Sequence, residues 1–182
     1  MARKSSSVFY LRKYAETNAG TAATSNIDIS AYIDTLKGNV LRINQVWFEW
    51  TSDNGSPISV ADVGVDHSVS AGAQLCTETQ TALQPLTNTS LIAKHQIYLS
   101  AADIEASGTQ VMTLFHEDRA MNPADFDSGF LVANDNIQLL VQDSPSPAVF
   151  TNPVRCSVIL ECEQVKMSAA DAQAILLSQA IG

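Results

Sequence analysis

Three histidines, three cysteines and nineteen carboxylates are the side chains of this sequence that could do chemistry. Their spacing decides which chemistry is open. His116, Glu117 and Asp118 place three metal-ligand types in a row, but neighbours on a strand point to opposite faces. Only His116 and Asp118 could converge. No H-x-H or H-E-x-x-H pair accompanies them, so a solvated strand end beside Arg119 is the plainer reading. Asp125-Phe-Asp127-Ser-Gly129 has the front of a calcium loop, alternating carboxylates ahead of a glycine. An EF-hand would need an oxygen ligand where Gly129 stands and a Glu where Asn136 stands. No metal centre is implied, and Asp125 and Asp127 are left as a candidate pair for a Ca²⁺ shared between subunits.

Cys156 and Cys162 lie six apart on an apparent strand, about 20 Å from each other, so they cannot bridge. With Cys76 they read as small buried side chains kept reduced, and no C-x-x-C signals zinc or a redox dithiol. The sequence has no G-x-S-x-G elbow, no glycine-rich phosphate loop and no G-x-G-x-x-G. Glu161 and Glu163 fall on a face expected to be wet, more a charged surface than a glycosidase pair. The chain is therefore expected not to be an enzyme, with no cofactor and no small-molecule substrate. Trp47 and Trp50 have opposite parity on one strand, so one of them is expected to face away from the core, as a glycan platform or an interface anchor.

The elements that must position these residues read as strands. VLRINQVWFEW (40–50) is rich in β-branched and aromatic residues. Leu41 and Ile43 share one parity while Val46, Phe48 and Trp50 share the other, so a β-bulge near Asn44–Gln45 would set both on one face. Further strands are expected at 58–65, 73–78, 91–99, 110–115, 129–133, 137–142 and 154–165. In the last, Cys156, Val158, Leu160 and Cys162 form one apolar face. The segment 26–36 alternates Ile27, Ile29 and Ala31 before a helical turn ending at Lys37–Gly38. Two S-x-x-D capping boxes, Ser100–Asp103 and Ser168–Asp171, predict one or two helical turns and a helix from Ala169 to about Ala180. Ile175, Leu176 and Leu177 would dock that helix. Turn signals separate the strands throughout, which together predicts an all-β protein, a single jelly roll or antiparallel β-sandwich of about eight strands. The expected organisation is an N-terminal basic arm over 1–25, a β-sandwich over 26–167 and a C-terminal helix over 168–182.

Charge is uneven. The 182 residues carry ten Lys and Arg against nineteen Asp and Glu, yet Arg3, Lys4, Arg12 and Lys13 crowd the start with no acid among them. So acidic a body speaks against a dedicated DNA-binding domain. No apolar run reaches the ~18 residues that span a bilayer, and VFYL (8–11) is too short for a secretory signal. As a strand, the head splits into Val8, Tyr10, Arg12 and Tyr14 on one face and Phe9, Leu11 and Lys13 on the other. Val8, Phe9, Tyr10, Leu11 and Tyr14 would make it an intersubunit arm. Its four cations would face something anionic, nucleic acid or a lipid layer, in a term that multiplies when many copies are arrayed. Removing residues 1–14 is then expected to leave the β domain folded but to impair assembly.

With the short basic arm, IDISAYI (27–33), VLRINQVWFEW, IQLLVQ (137–142) and VRCSVILECEQV (154–165), the chain resembles small single jelly-roll viral capsid proteins. The resemblance covers roughly residues 26–165 and is one of architecture. It implies a non-enzymatic coat subunit that forms capsomers with copies of itself and closes into an icosahedral shell. A second coat protein, the genome and an internal membrane are the further partners it implies, through the arm. Many RNA-virus coats of this fold have far more basic arms, which favours a membrane or protein layer beneath. Such a protein is made in the host cytoplasm and resides in the virion. The competing readings are a lectin-like β-sandwich using Trp47 or Trp50 with the polar loops 51–57 or 143–153, and, more distantly, a cupin-like enzyme, whose histidine cluster the sequence lacks.

Overall fold

The computed structural model describes residues 7–17, 21–64, 68–104, 109–143 and 150–179. Nine strands alternate along them: β1 (Phe9–Glu16), β2 (Ala23–Asp28), β3 (Asn39–Ser52), β4 (Ser68–Cys76), β5 (Leu91–Ile104), β6 (Thr109–Met121), β7 (Phe130–Val132), β8 (Asn136–Asp143) and β9 (Val154–Lys166). A four-residue helix, α1 (Val60–Val63), precedes β4, and α2 (Ala169–Gln179) follows β9. The first sheet has the order β1-β9-β3-β7, the second β2-β8-β4-β5-β6. Four antiparallel pairs, β1 with β9, β2 with β8, β3 with β7 and β4 with β5, nest inside one another. A long hairpin rolled over itself gives this nesting, the winding of a jelly roll, and β6 extends it as a further edge strand.

The core lies between the sheets. Leu41, Ile43, Leu75, Ile92, Ile137, Leu139 and Leu160 are fully buried there, and Phe9, Phe48 and Trp50 pack against them. The apolar residues of β3 meet this core only because the register with β9 shifts between Ile43 and Gln45. This is the bulge expected near Asn44–Gln45, and it returns Val46, Phe48 and Trp50 to the side of Leu41 and Ile43. β7 pairs β3 only over Leu41–Ile43. Past the bulge the side chain of Asn122 replaces the missing strand, donating to the Val46 carbonyl at 2.6 Å and accepting from the Val46 N–H at 3.3 Å. Asn122 is fully buried.

Several elements differ from the sequence reading. Of the strand expected at 58–65, the described part, 58–64, is not a strand: Ser59 and Asp62 close a capping box that opens α1. Ser100–Asp103 does not start a helix but continues β5, because pairing with β6 through Ile104–Thr109 holds its backbone extended. The segment expected as an arm through residue 25 joins the sandwich at Phe9, where β1 pairs residue for residue with β9. Deleting residues 1–14 would therefore strip an edge strand with Phe9 and Leu11, and the expectation that the domain survives it is withdrawn. Glu163 is not on a wet face: it is buried and paired with Arg42, whose Nε donates to it at 2.6 Å. α2 is capped as expected, Ser168 Oγ accepting from the Asp171 N–H at 3.1 Å. Ala172, Ile175 and Leu176 dock the helix against Val40, Ala133 and Val165, whereas Leu177 points away.

The outer faces of the two sheets are covered unequally. On the second sheet the connection 77–90 folds back as a strap, closed at its neck by Thr77 N–H donating to the Ser90 carbonyl at 2.9 Å. Outward glutamines hold it down. The strap's Gln80, Leu83 and Gln84 N–H groups donate to Gln138, Gln142 and Gln74, and Leu83 sits directly over Gly72. On the first sheet α2 covers the end around Val40 and Val165, and nothing among the described residues covers the rest.

Candidate functional site

The uncovered face of the first sheet is built by three strands in register. β9 lies in the middle, with β1 and β3 on its flanks. Three rows cross them, Tyr10–Glu161–Gln45, Arg12–Ile159–Trp47 and Tyr14–Ser157–Glu49. On the middle strand Ser157 and Ile159 lie between the longer Glu161 and Arg155, while the flanks carry the aromatics, so the face is lowest at its centre. The groove has a volume of about 1040 Å³ and is lined by Tyr10, Arg12, Tyr14, Trp47, Ser157 and Ile159 among others. Tyr10 is 49%, Tyr14 53% and Trp47 40% exposed, high values for side chains of this size.

Polar contacts stiffen the rim. Tyr10 donates its hydroxyl to Glu161 at 3.3 Å and its ring lies 6.4 Å from Trp47, tilted by 45°. Arg155 stacks over Tyr14 at 4.4 Å and pairs with Glu16 at 2.7 Å. Arg12 and Glu49 are exposed and form no ion pair among the described residues. The groove thus offers an aromatic wall on each side with a cation on one and a carboxylate on the other. It can stack planar or sugar-like surfaces, or seat an apolar knob, and it carries no nucleophile-and-base pair.

The sequence-predicted residues divide. Tyr10, Arg12, Tyr14 and Trp47 come together on this face. Phe9 and Leu11 turn to the other side of β1, where Phe9 stacks on Tyr32 at 4.5 Å, while Lys13, of their parity, also borders the groove. Trp50 is the inward tryptophan, its Nε1–H donating to Nδ1 of buried His95 at 3.1 Å, while Phe48 stacks on the same imidazole. Val8 is exposed just ahead of β1. Arg12 and Lys13 differ in parity on β1 yet both border the groove. Arg3, Lys4, His67 and the loop residues 144–149 lie outside the described residues. Asp125 is committed to the Asn122 N–H at 2.9 Å, and no three His, Cys, Asp or Glu converge among the described residues. Asn88, in the Asn-Thr-Ser sequon, spends its side chain on Gln84 and Ser90 within the strap. Sequence reasoning missed Glu49, Ser157 and Ile159 as parts of the site. Their signal was parity with Trp47 across a register that only the bulge fixes.

No protein-family model matches the chain, and no curated protein matches it by sequence. Solved structures do match. VP1 of Merkel cell polyomavirus in complex with disialyllactose aligns with 92% of this chain and 97% of its own at 10% identity, with a TM-score of 0.51. VP1 of Trichodysplasia spinulosa-associated polyomavirus in complex with sialylated precision glycooligomers aligns with 88% and 96%, also at 10% identity, with a TM-score of 0.50. The same protein in complex with 3'-sialyllactose gives the same values. Identity this low speaks for the fold alone, and the fold is the one derived above from the nested pairs: a jelly roll resembling those of polyomavirus VP1 capsid proteins.

Proposed function

We propose that this chain is a structural, non-enzymatic subunit of a viral capsid, which assembles with copies of itself into capsomers and an icosahedral shell. The observation that carries the reading is the half-covered first sheet: a jelly roll of the capsid kind leaves three large aromatics in an open groove on a charge-poor chain. Large exposed apolar patches mark contact surfaces. In this reading the protein is made in the host cytoplasm and resides in the virion. Arg3 and Lys4 face an inner layer, genome or membrane, and a second coat protein is a further partner. Size-exclusion chromatography with light scattering and negative-stain microscopy tests it. Rings or shells are expected, and a monodisperse monomer at every salt concentration would overturn the reading.

A second reading has its own observation. Trp47 and Tyr10 stand side by side and exposed with Arg12 beside them, a platform suited to an acidic sugar, and the VP1 structures above hold sialylated glycans. Binding on a glycan array that disappears with Trp47→Ala would favour it.

A further inference from the structure

The open face of the first sheet holds one complete cation site and, beside it, the parts of a second. In the first, Arg155 lies over the Tyr14 ring at 4.4 Å and donates to the Glu16 carboxylate at 2.7 Å. Ring, cation and carboxylate satisfy one another there. Diagonally across β9, Tyr10 and Trp47 set two exposed rings 6.4 Å apart, tilted by 45°. Carboxylates flank them as well. Glu161 accepts from the Tyr10 hydroxyl at 3.3 Å, and Glu49 stands two residues after Trp47 on the same face, exposed and in no ion pair among the described residues. Among the described residues no Lys or Arg stacks on the Tyr10 or Trp47 ring. For this second site the chain supplies rings and carboxylates but not the cation.

The spacing suits a cation from outside. Two centroids 6.4 Å apart leave a point about 5 Å from both, within the reach of about 6 Å over which a ring face attracts a cation. A quaternary ammonium has no N–H to satisfy, so an aromatic corner holds it without further donors or acceptors. Its counter-charge also has a place. Arg12 shares the cross-strand row of Trp47, about 10 Å away at Cα over two strand spacings, and is exposed. A cation subsite beside an anion subsite fits a zwitterion.

We infer that this corner binds the phosphocholine head group of a lipid surface, the trimethylammonium against Tyr10 and Trp47 with Glu49 and Glu161 behind it, and the phosphate on Arg12. A surface is favoured over a free ligand because the face is open and its Trp and Tyr have the apolar body and polar tip that settle at head-group level. One head group makes few contacts, and a surface multiplies them. Charge selects the kind of surface. A chain of formal charge −9 is repelled by anionic lipid, and a zwitterionic layer spares it that penalty.

Flotation of the full chain with phosphatidylcholine vesicles tests this. Binding is expected, with soluble phosphocholine competing and phosphatidylglycerol vesicles retaining less protein. Trp47→Ala and Glu49→Gln change exposed side chains, and each should keep the thermal midpoint of the parent. Trp47→Ala should weaken binding on the order of tenfold and Glu49→Gln severalfold. Absence of flotation with phosphatidylcholine would overturn the inference, and so would tighter binding to phosphatidylglycerol. Binding that ignores both phosphocholine and Glu49→Gln would reduce the face to unspecific insertion of aromatics and overturn it too. Competition by 3'-sialyllactose but not by phosphocholine would give the site to an acidic sugar instead. Assembly is read separately: a monomer that floats keeps this inference and ends the capsid reading, whereas a shell-forming chain that does not float does the reverse.

Discussion

At the scale of single residues the core is held by groups whose chemistry is silenced. Burial, ahead of the other contributions, pushes the Cys76 and Cys162 thiols from the ordinary 9.0 up to about 12, and it pushes Cys156 well upward too. All three thiols should be inert to a thiol reagent at pH 8 and react only once denaturant is added. The sign of the pH effect follows. The folded thiols keep their protons where unfolded ones lose them, so their contribution to stability is whole below pH 9 and drains away as pH rises towards about 12. Each thiol costs about 1.4 kcal/mol per pH unit in that window. Urea unfolding between pH 9 and pH 11 should show a shallower loss in Cys162→Ala than in the parent. Trp50 offers a second check. Trp50→Phe keeps a ring but removes the hydrogen bond to His95, and a loss of about 1 kcal/mol is expected in the urea midpoint, beyond the change in packing.

At the scale of elements the bulge in β3 decides which tryptophan faces out of the sandwich. Asn122 secures the strand just beyond it, so Asn122→Ala leaves the Val46 N–H and carbonyl buried without that clamp. A loss on the order of 2–4 kcal/mol is expected from two unmade bonds in denaturant unfolding. The strap gives a different outcome. Gly72→Val puts a side chain where Leu83 rests, the nearest Leu83 carbon being 2.5 Å from the position of an added Cβ. Proteolysis within 77–90 should rise severalfold while the far-ultraviolet spectrum of the sandwich stays unchanged. Much of this was legible beforehand. The parity break between Ile43 and Val46 announced the bulge, the Cys156-to-Cys162 alternation announced β9, and Ser168–Asp171 announced α2. The strap was not legible, because its anchors are glutamines, residues equally at home on a wet surface. The same cap signature failed at Ser100, where strand pairing with β6 outweighed a local preference worth about 1 kcal/mol. The parity split of the basic head was readable from the sequence. Its place inside the sheet was not, since β1 meets β9 across nearly the whole chain.

At the scale of the whole molecule net charge opposes the self-association proposed above. The chain carries −9 at pH 7, so raising NaCl from roughly 50 mM to 0.5 M should screen the repulsion and lower the concentration needed for assembly, read by light scattering. Weaker assembly in high salt would point instead to contacts dominated by opposite charges. Truncation separates the two parts of the head. Removing residues 1–7 leaves β1 whole and should not move the thermal midpoint, whereas removing 1–14 should lower it sharply.

The winding of the sheets also sets a clock. The open groove is made by the first strand, the third and the last, with the last lying between the other two. During synthesis β1 and β3 emerge early, yet they have no common floor until β9 leaves the ribosome more than a hundred residues later. A chain broken off before Val154 cannot display the groove at all, so under the capsid reading proposed above unfinished products would be barred from assembly by geometry, without any separate proofreading.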